Sequence, residues 1–219
     1  MKKRSFVAAA GLLAAFGLWT AAVLLVDVQA IGPQGSAVGF AAVNRWVHNL
    51  TGVNFTLYTI TDWLGLVPLA VVLGFGLLGL RQWISRKALR KVDRSILVLG
   101  GFYVVVLAAF LLFEKIAVNY RPVLIEGRLE ASYPSSTTML VLCVMPTASM
   151  ELWGRIRTRK VRGWIAGVML AFTAFMVVGR LLSGVHWVSD IIGGALLSAS
   201  LVGMYDAFRG EAVINRLQD

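Results

Sequence analysis

The sequence predicts an all-α, polytopic membrane bundle of about six transmembrane helices, with a short interfacial helix after the first. Three observations carry that prediction. Of 219 residues, 58% are hydrophobic and only 15% charged, against the roughly 25% charged share of soluble domains, and the mean hydropathy is +0.76. The apolar residues gather into long runs, and the basic residues gather between alternate runs. A soluble domain of this size could not cover so much apolar surface, so lipid is the natural solvent.

The runs are Phe6–Val26, Trp63–Leu80, Ser95–Phe113, Thr137–Trp153, Gly163–Val178 and Val188–Phe208. Each is near the ~20 residues that a helix needs to cross the hydrocarbon core. The first run follows a basic start and precedes Val28-Gln29-Ala30, which has the look of a cleavage site. It is longer than the roughly 7–15 residues of a signal-peptide core, and is read as an uncleaved helix. After it, Phe40, Val43, Val47 and Leu50 recur at helical spacing, with Asn44, Arg45, His48 and Asn49 on the other faces. That is the pattern of an interfacial helix, with Ser36 able to cap its start, Gly52 its end, and Trp46 as an anchor.

The formal net charge is +10, and its placement explains it. Lys2, Lys3, Arg4, Arg81, Arg86, Lys87, Arg90, Lys91, Arg94, Arg155, Arg157, Arg159, Lys160, Arg162, Arg209 and Arg216 all fall on one side of the predicted bundle. The positive-inside rule makes that side, and both termini, cytoplasmic, in a chain integral to the cytoplasmic membrane. Attraction to anionic lipid heads accounts for the charge without nucleic acid. The single cysteine, Cys143, excludes an internal disulfide, and with two histidines the chain offers little for a metal centre; no metal and no cofactor are expected. Few ionisable residues fall at the centres of the runs, which argues against a transporter. Cys143 and the methionines of the fourth run read as packing, and Gly163, Gly167, Gly194 and Ser198 as close helix contacts. With no linker, low-complexity segment or repeat, residues 1–219 read as one membrane-embedded domain.

Arg45, Lys115, Arg121, Arg128 and Arg180 remain outside, against the positive-inside bias. If the ends of the third and fifth spans are neighbours, Lys115, Arg121 and Arg180 converge at the outer membrane surface. Like charges gathered there repel unless an anion binds, and phosphate suits two guanidinium forks and an ammonium. Tyr133-Pro134-Ser135-Ser136-Thr137-Thr138 opens the fourth span, so free N–H groups of a first helical turn would face the same side. Gly179-Arg180, His186 and Asp190 follow between spans five and six. His186 and Asp190 share a face at i,i+4 spacing, where a carboxylate can hold one imidazole nitrogen and leave the other free to attack.

These segments resemble the three signature motifs of the type 2 phosphatidic acid phosphatase superfamily, the membrane lipid phosphate phosphatases. The family's first motif, Lys, six residues, Arg-Pro, appears as Lys115, five residues, Arg121-Pro122. Its second, Pro-Ser-Gly-His, appears as Pro134-Ser135-Ser136-Thr137. Its third, Ser-Arg, five residues, His, three residues, Asp, appears as Gly179-Arg180, His186 and Asp190. The resemblance covers residues 115–190 and implies a metal-independent phosphatase with its site on the outer face. It makes His186 the nucleophile that forms a phosphohistidine, and Asp190 the residue that orients it. It gives the phosphoryl oxygens to Lys115, Arg121, Arg180, Ser135 and the N–H groups of Ser136 and Thr137. The substrate expected is a lipid phosphate or a polyprenyl diphosphate drawn from the surrounding membrane lipids.

Thr137 departs from the family, where a histidine protonates the leaving oxygen; a threonine hydroxyl is far too weak an acid. A polyprenyl diphosphate expels an anion that needs no proton, which makes it the favoured substrate. His48, on the same side, is another source for the proton. A chain that binds lipid phosphates without turnover is the alternative.

Overall fold

The computed structural model describes residues 2–215, and the side chains of residues 4–209; Arg216 lies outside the described residues. Eight α-helices are present among the described residues: α1 (Lys2–Leu25), α2 (Ala41–Thr51), α3 (Phe55–Leu64), α4 (Leu66–Arg86), α5 (Arg94–Lys115), α6 (Ser136–Arg155), α7 (Arg159–Leu182) and α8 (Val188–Asn215). No strand forms among the described residues. The all-α membrane bundle read from the sequence is therefore what the chain folds into.

Among the described residues, five helical segments are long and apolar enough to cross a membrane: Arg4–Leu25, Phe55–Arg86, Arg94–Lys115, Arg159–Leu182 and Val188–Arg209. The second joins α3 and α4, which follow each other almost without a break at Gly65, so the apolar run predicted from Trp63 starts a helical turn or two late. The expected count of six differs because α6, although 20 residues long, is too polar to be counted with the others. Its position gives the physical reason. α6 packs between α7 and α8 and buries Thr138, Thr147 and Glu151 along with Met139, Val141, Cys143 and Val144. A helix wrapped in protein needs less apolar surface than one facing lipid.

Around α6, α1 lies along α8, α5 packs on α8, and α3 on α7. The main core gathers Phe16, Val23, Leu99, Phe102, Val106, Tyr133, Met139, Cys143, Leu197, Leu201 and Tyr205. Cys143 is fully buried and unpaired, as a packing residue should be. At one end of the bundle Glu151 accepts from Tyr205 Oη at 2.8 Å and Arg209 Nε at 3.0 Å. Asp93 there pairs with Arg86 at 3.0 Å and Arg155 at 3.2 Å. Arg121 and Arg180 stand at the opposite end, so α6 runs from one charged end to the other.

The interfacial helix starts later than expected. Gln29 and Val38 form an antiparallel bridge across a tight turn at Pro33–Gly35, and Ser36 closes that turn, its N–H donating to the Pro33 carbonyl at 3.0 Å, instead of opening a helix. α2 begins at Ala41 behind Phe40, and Asp27 caps it from a distance by accepting from the Ala42 N–H at 2.7 Å. Gly52 ends it as expected, with φ +62°. Val43, Trp46 and Leu50 are exposed, whereas Asn44 is fully buried. The helix thus turns its apolar side to the surface and a polar residue into the bundle, which suits a neighbour of lipid.

Candidate active site

Three segments meet at the end of the bundle opposite Glu151. The first is the loop after α5, which doubles back at Glu126-Gly127, both at positive φ. The fold sets Arg121 against Glu130: the Arg121 N–H donates to the Glu130 carbonyl at 3.0 Å, and Arg121 Nε lies 3.0 Å from Glu130 Oε2. The second is the start of α6, where the Ser135 N–H donates to the Asp190 carbonyl at 3.1 Å. The Tyr133 ring packs against Gly193 of α8, where a Cβ would come within 2.4 Å of it. The third is the turn from α7 to α8. Gly184, at φ +67°, passes so close to the Gly52 carbonyl that a Cβ would sit 1.9 Å from its oxygen. The Asn54 N–H donates to the Ser183 carbonyl at 3.0 Å and ties this turn to the α2–α3 link.

The start of α8 explains how His186 and Asp190 meet. The Trp187 N–H donates to Asp190 Oδ2 at 3.0 Å, the arrangement of a helix-capping carboxylate reaching back one turn. That fold brings the same oxygen to 3.7 Å from His186 Nδ1, close but longer than a hydrogen bond. Asn119, buried in the first loop, donates to the other oxygen, Oδ1, at 3.2 Å, and Gly39 N–H donates to the Asn119 side-chain oxygen at 3.3 Å.

On the other face of the imidazole, His186 Nε2 lies 3.3 Å from Arg121 Nη1. His186 is only 3% exposed. Burial, then the charges of Arg121 and Arg180, hold its ring well below the ordinary histidine range. Arg180 is buried on α7. Its Nη2 donates to Thr137 Oγ1 at 2.7 Å and to Asp62 Oδ1 at 3.3 Å, and its Nη1 donates to Thr61 at 3.4 Å. The Tyr58 ring lies under both guanidiniums, 5.0 Å from Arg180 and 6.0 Å from Arg121, where its π face offsets part of their repulsion.

Of the residues singled out in the sequence, the structure brings Arg121, Ser135, Ser136, Thr137, Arg180, His186 and Asp190 to one place. The hydroxyl of Ser135 is buried with no protein partner among the described residues. The first N–H groups of α6, at Ser136 and Thr137, have no acceptor inside the helix. Lys115 stands exposed on the last turn of α5 and lines no part of the site. Counting the motif's six residues back from Arg121 lands on Glu114, and Glu114 is what lines the cavity. His48 packs on Trp187, with ring centres 5.4 Å apart.

Two cavities adjoin here. A small polar one of about 40 Å³ is bounded by Glu114, Arg121, Glu130, Ser132, Ser136 and His186. A larger apolar one of about 410 Å³ lies between α4, α5 and α6, with Leu66, Leu69 and Leu107 along it and Asp62, Ser136 and Thr137 at its polar end. Phe110, Ser136 and Met139 border both. Sequence reasoning missed Tyr58, Asp62 and Asn119. The first two stand in the turn of helix just before the run that begins at Trp63, and Asn119 sits two residues before the Arg-Pro pair. Among the described residues, no three His, Cys, Asp or Glu side chains cluster to hold a metal ion.

No curated protein matches the chain. Among solved structures, a transmembrane PAP2-type phosphatidylglycerolphosphate phosphatase from Bacillus subtilis is similar, with a TM-score of 0.63 over 93% of this chain and 96% of that one, at 16% identity. At that identity the likeness concerns the fold. Residues 103–211 match the PAP2 superfamily, a stretch that takes in all three segments of the site. The chain belongs to the PAP2 superfamily.

Proposed function

We propose that this protein is a membrane phosphatase that hydrolyses a lipid phosphate or diphosphate through a phosphohistidine on His186. The observation that carries the reading is a buried imidazole with a guanidinium 3.3 Å from one nitrogen and a carboxylate 3.7 Å from the other. An arginine N–H directed at Nε2 requires the lone pair there, which leaves the ring proton on Nδ1, facing Asp190. Once a phosphoryl group takes the guanidinium, that lone pair is free to attack phosphorus. Arg121 and Arg180 then hold the phosphoryl oxygens and meet the charge that builds on them. Ser135, with the N–H groups of Ser136 and Thr137, completes the cradle, and Lys115 contributes long-range attraction from the rim.

A head group in the polar cavity would have its chain in the apolar one next door, which suits a lipid substrate. Thr137 in place of an acid favours a polyprenyl diphosphate. The solved relative is a phosphatidylglycerolphosphate phosphatase, so a phosphorylated glycerolipid is the other class to test. The reaction as drawn needs no metal. Residues 1–219 act as one domain in the cytoplasmic membrane, with the termini inside and the site outside. Phosphate release from each lipid, measured on the purified chain with a chelator present, tests the reading. One observation favours the second reading, binding without turnover: Arg180 is already engaged by Thr137 and Asp62. Lipid phosphate bound but not hydrolysed would establish it.

A further inference from the structure

The resemblance leaves position 137 without the acid that a lipid alkoxide needs on leaving. A carboxylate from another helix stands beside that position. Arg180 Nη2 holds Thr137 Oγ1 at 2.7 Å and Asp62 Oδ1 at 3.3 Å, so a single nitrogen gathers the hydroxyl and the carboxylate. The Asp62 side chain is 57% exposed, on α3 just before Gly65. It is the one carboxylate, among the described residues, that lines the apolar cavity, and it does so together with Ser136 and Thr137.

The direction of displacement selects this carboxylate over the others. A phosphoryl group gripped by Arg121 and Arg180 lies between His186, which Arg121 touches, and the Asp62–Thr137 pair, which Arg180 touches. Attack by His186 Nε2 expels the oxygen roughly in line on the far side. That is the Arg180 side, where the apolar cavity takes the chain that the oxygen carries. Glu130 is bound to Arg121 at 3.0 Å, on the side of the nucleophile, and Glu114 lines the cavity that His186 lines. His48 lines neither cavity.

We propose that Asp62 is the catalytic acid for the leaving oxygen, which extends the reaction to lipid phosphate monoesters; this rests on the phosphatase reading above. Asp62 acts in its acid form, as a general acid must. The Nε2 lone pair forms the N–P bond while the P–O bond to the lipid breaks, and the lipid oxygen keeps that electron pair and receives the proton of Asp62. The carboxylate left behind then accepts a proton from water, whose oxygen forms the new P–O bond as the N–P bond breaks and its electron pair returns to Nε2. Atoms and charge balance without a further reactant.

The test compares two leaving groups on the full chain in detergent: dioleoyl phosphatidate, which expels an alkoxide, and farnesyl diphosphate, which expels a phosphate ester. Asp62→Asn should lower kcat on phosphatidate by about 100-fold or more, and on farnesyl diphosphate by less than about 3-fold, in keeping with the usual size of acid catalysis. Asp62→Glu, which keeps an acid, should exceed Asp62→Asn on phosphatidate. Equal losses on both substrates, with Asp62→Glu no better, would make Asp62 a support for Arg180 and overturn the proposal. So would full phosphatidate activity in Asp62→Asn, or a parent that hydrolyses the diphosphate alone. A parent that releases phosphate from neither lipid would instead remove the phosphatase reading itself.

Discussion

Arg121 Nη1 and His186 Nε2 lie 3.3 Å apart in the interior of the site, a cation set against the nitrogen that is to act as nucleophile. The contact works in two ways. It keeps the imidazole uncharged, because a second positive charge beside the guanidinium is unfavourable, and it points the lone pair toward the place where a phosphate would be drawn.

The pH dependence of kcat/KM follows from that pair. His186 is active when neutral, and its ring is held well below the ordinary histidine range by burial, Arg121 and Arg180, with Asp190 and Glu130 as the nearby carboxylates. Activity attributable to His186 is therefore lost only as pH falls through that lowered value. Replacing Arg121 with Gln removes one cause of the lowering, so the acid limb should move to higher pH while kcat/KM drops by about 10²-fold from the lost grip on phosphate. A pH–rate profile of the variant checks both; an unmoved acid limb would separate Arg121 from His186.

Asn119 positions Asp190 without touching the reacting atoms. Asn119→Ala leaves the buried Asp190 Oδ1 without its 3.2 Å donor, a loss of about 1–3 kcal/mol for a buried polar group. The expected result is a fall of about 10-fold or more in kcat with little change in KM, since phosphate-binding groups are untouched. Rates normalised to the folded fraction, read from size-exclusion chromatography and thermal unfolding in detergent, distinguish this from a general loss of fold, which would lower the active fraction and leave the rate per folded molecule unaltered.

Much of this site was legible in the residues themselves, and the gaps have physical causes. Arg180, His186 and Asp190 lie within eleven residues of one another, so local geometry brings them together and spacing reveals it. Asp62, Tyr58 and Asn119 act across helices. Asp62 meets Arg180 at a separation of 118 residues, and no periodicity encodes such a meeting. Lys115 was readable as a cation at a helix end, but its direction around α5 was not, and the helix presents Glu114 to the cavity instead. The bundle was readable because lipid imposes long apolar runs. α6 blurred the count because a helix enclosed by protein escapes that demand.

Gly184 is where the α7–α8 turn meets the link between α2 and α3. A methyl group there meets the Gly52 oxygen at 1.9 Å and a φ of +67° that side chains disfavour. Gly184→Ala should destabilise the fold by about 2 kcal/mol or more. Thermal unfolding in detergent reads this as a lowered Tm, and an unchanged Tm would mean the turn yields freely.

The proposed orientation is open to a clean labelling test, because the one native cysteine, Cys143, is fully buried. Arg128→Cys should react in intact cells with a membrane-impermeant maleimide, and Arg90→Cys only after lysis. The reverse pattern would put the site on the cytoplasmic face.

The central claim is tested most directly by trapping the phosphoryl group on the chain. The protein, mixed with a radiolabelled lipid phosphate and quenched in alkali, should carry label that is stable to base and released by acid, and His186→Ala should carry none and turn over at least about 10³-fold more slowly. A His186→Ala protein that still hydrolyses the lipid at the parent's rate, or a label that survives the substitution, would contradict the account.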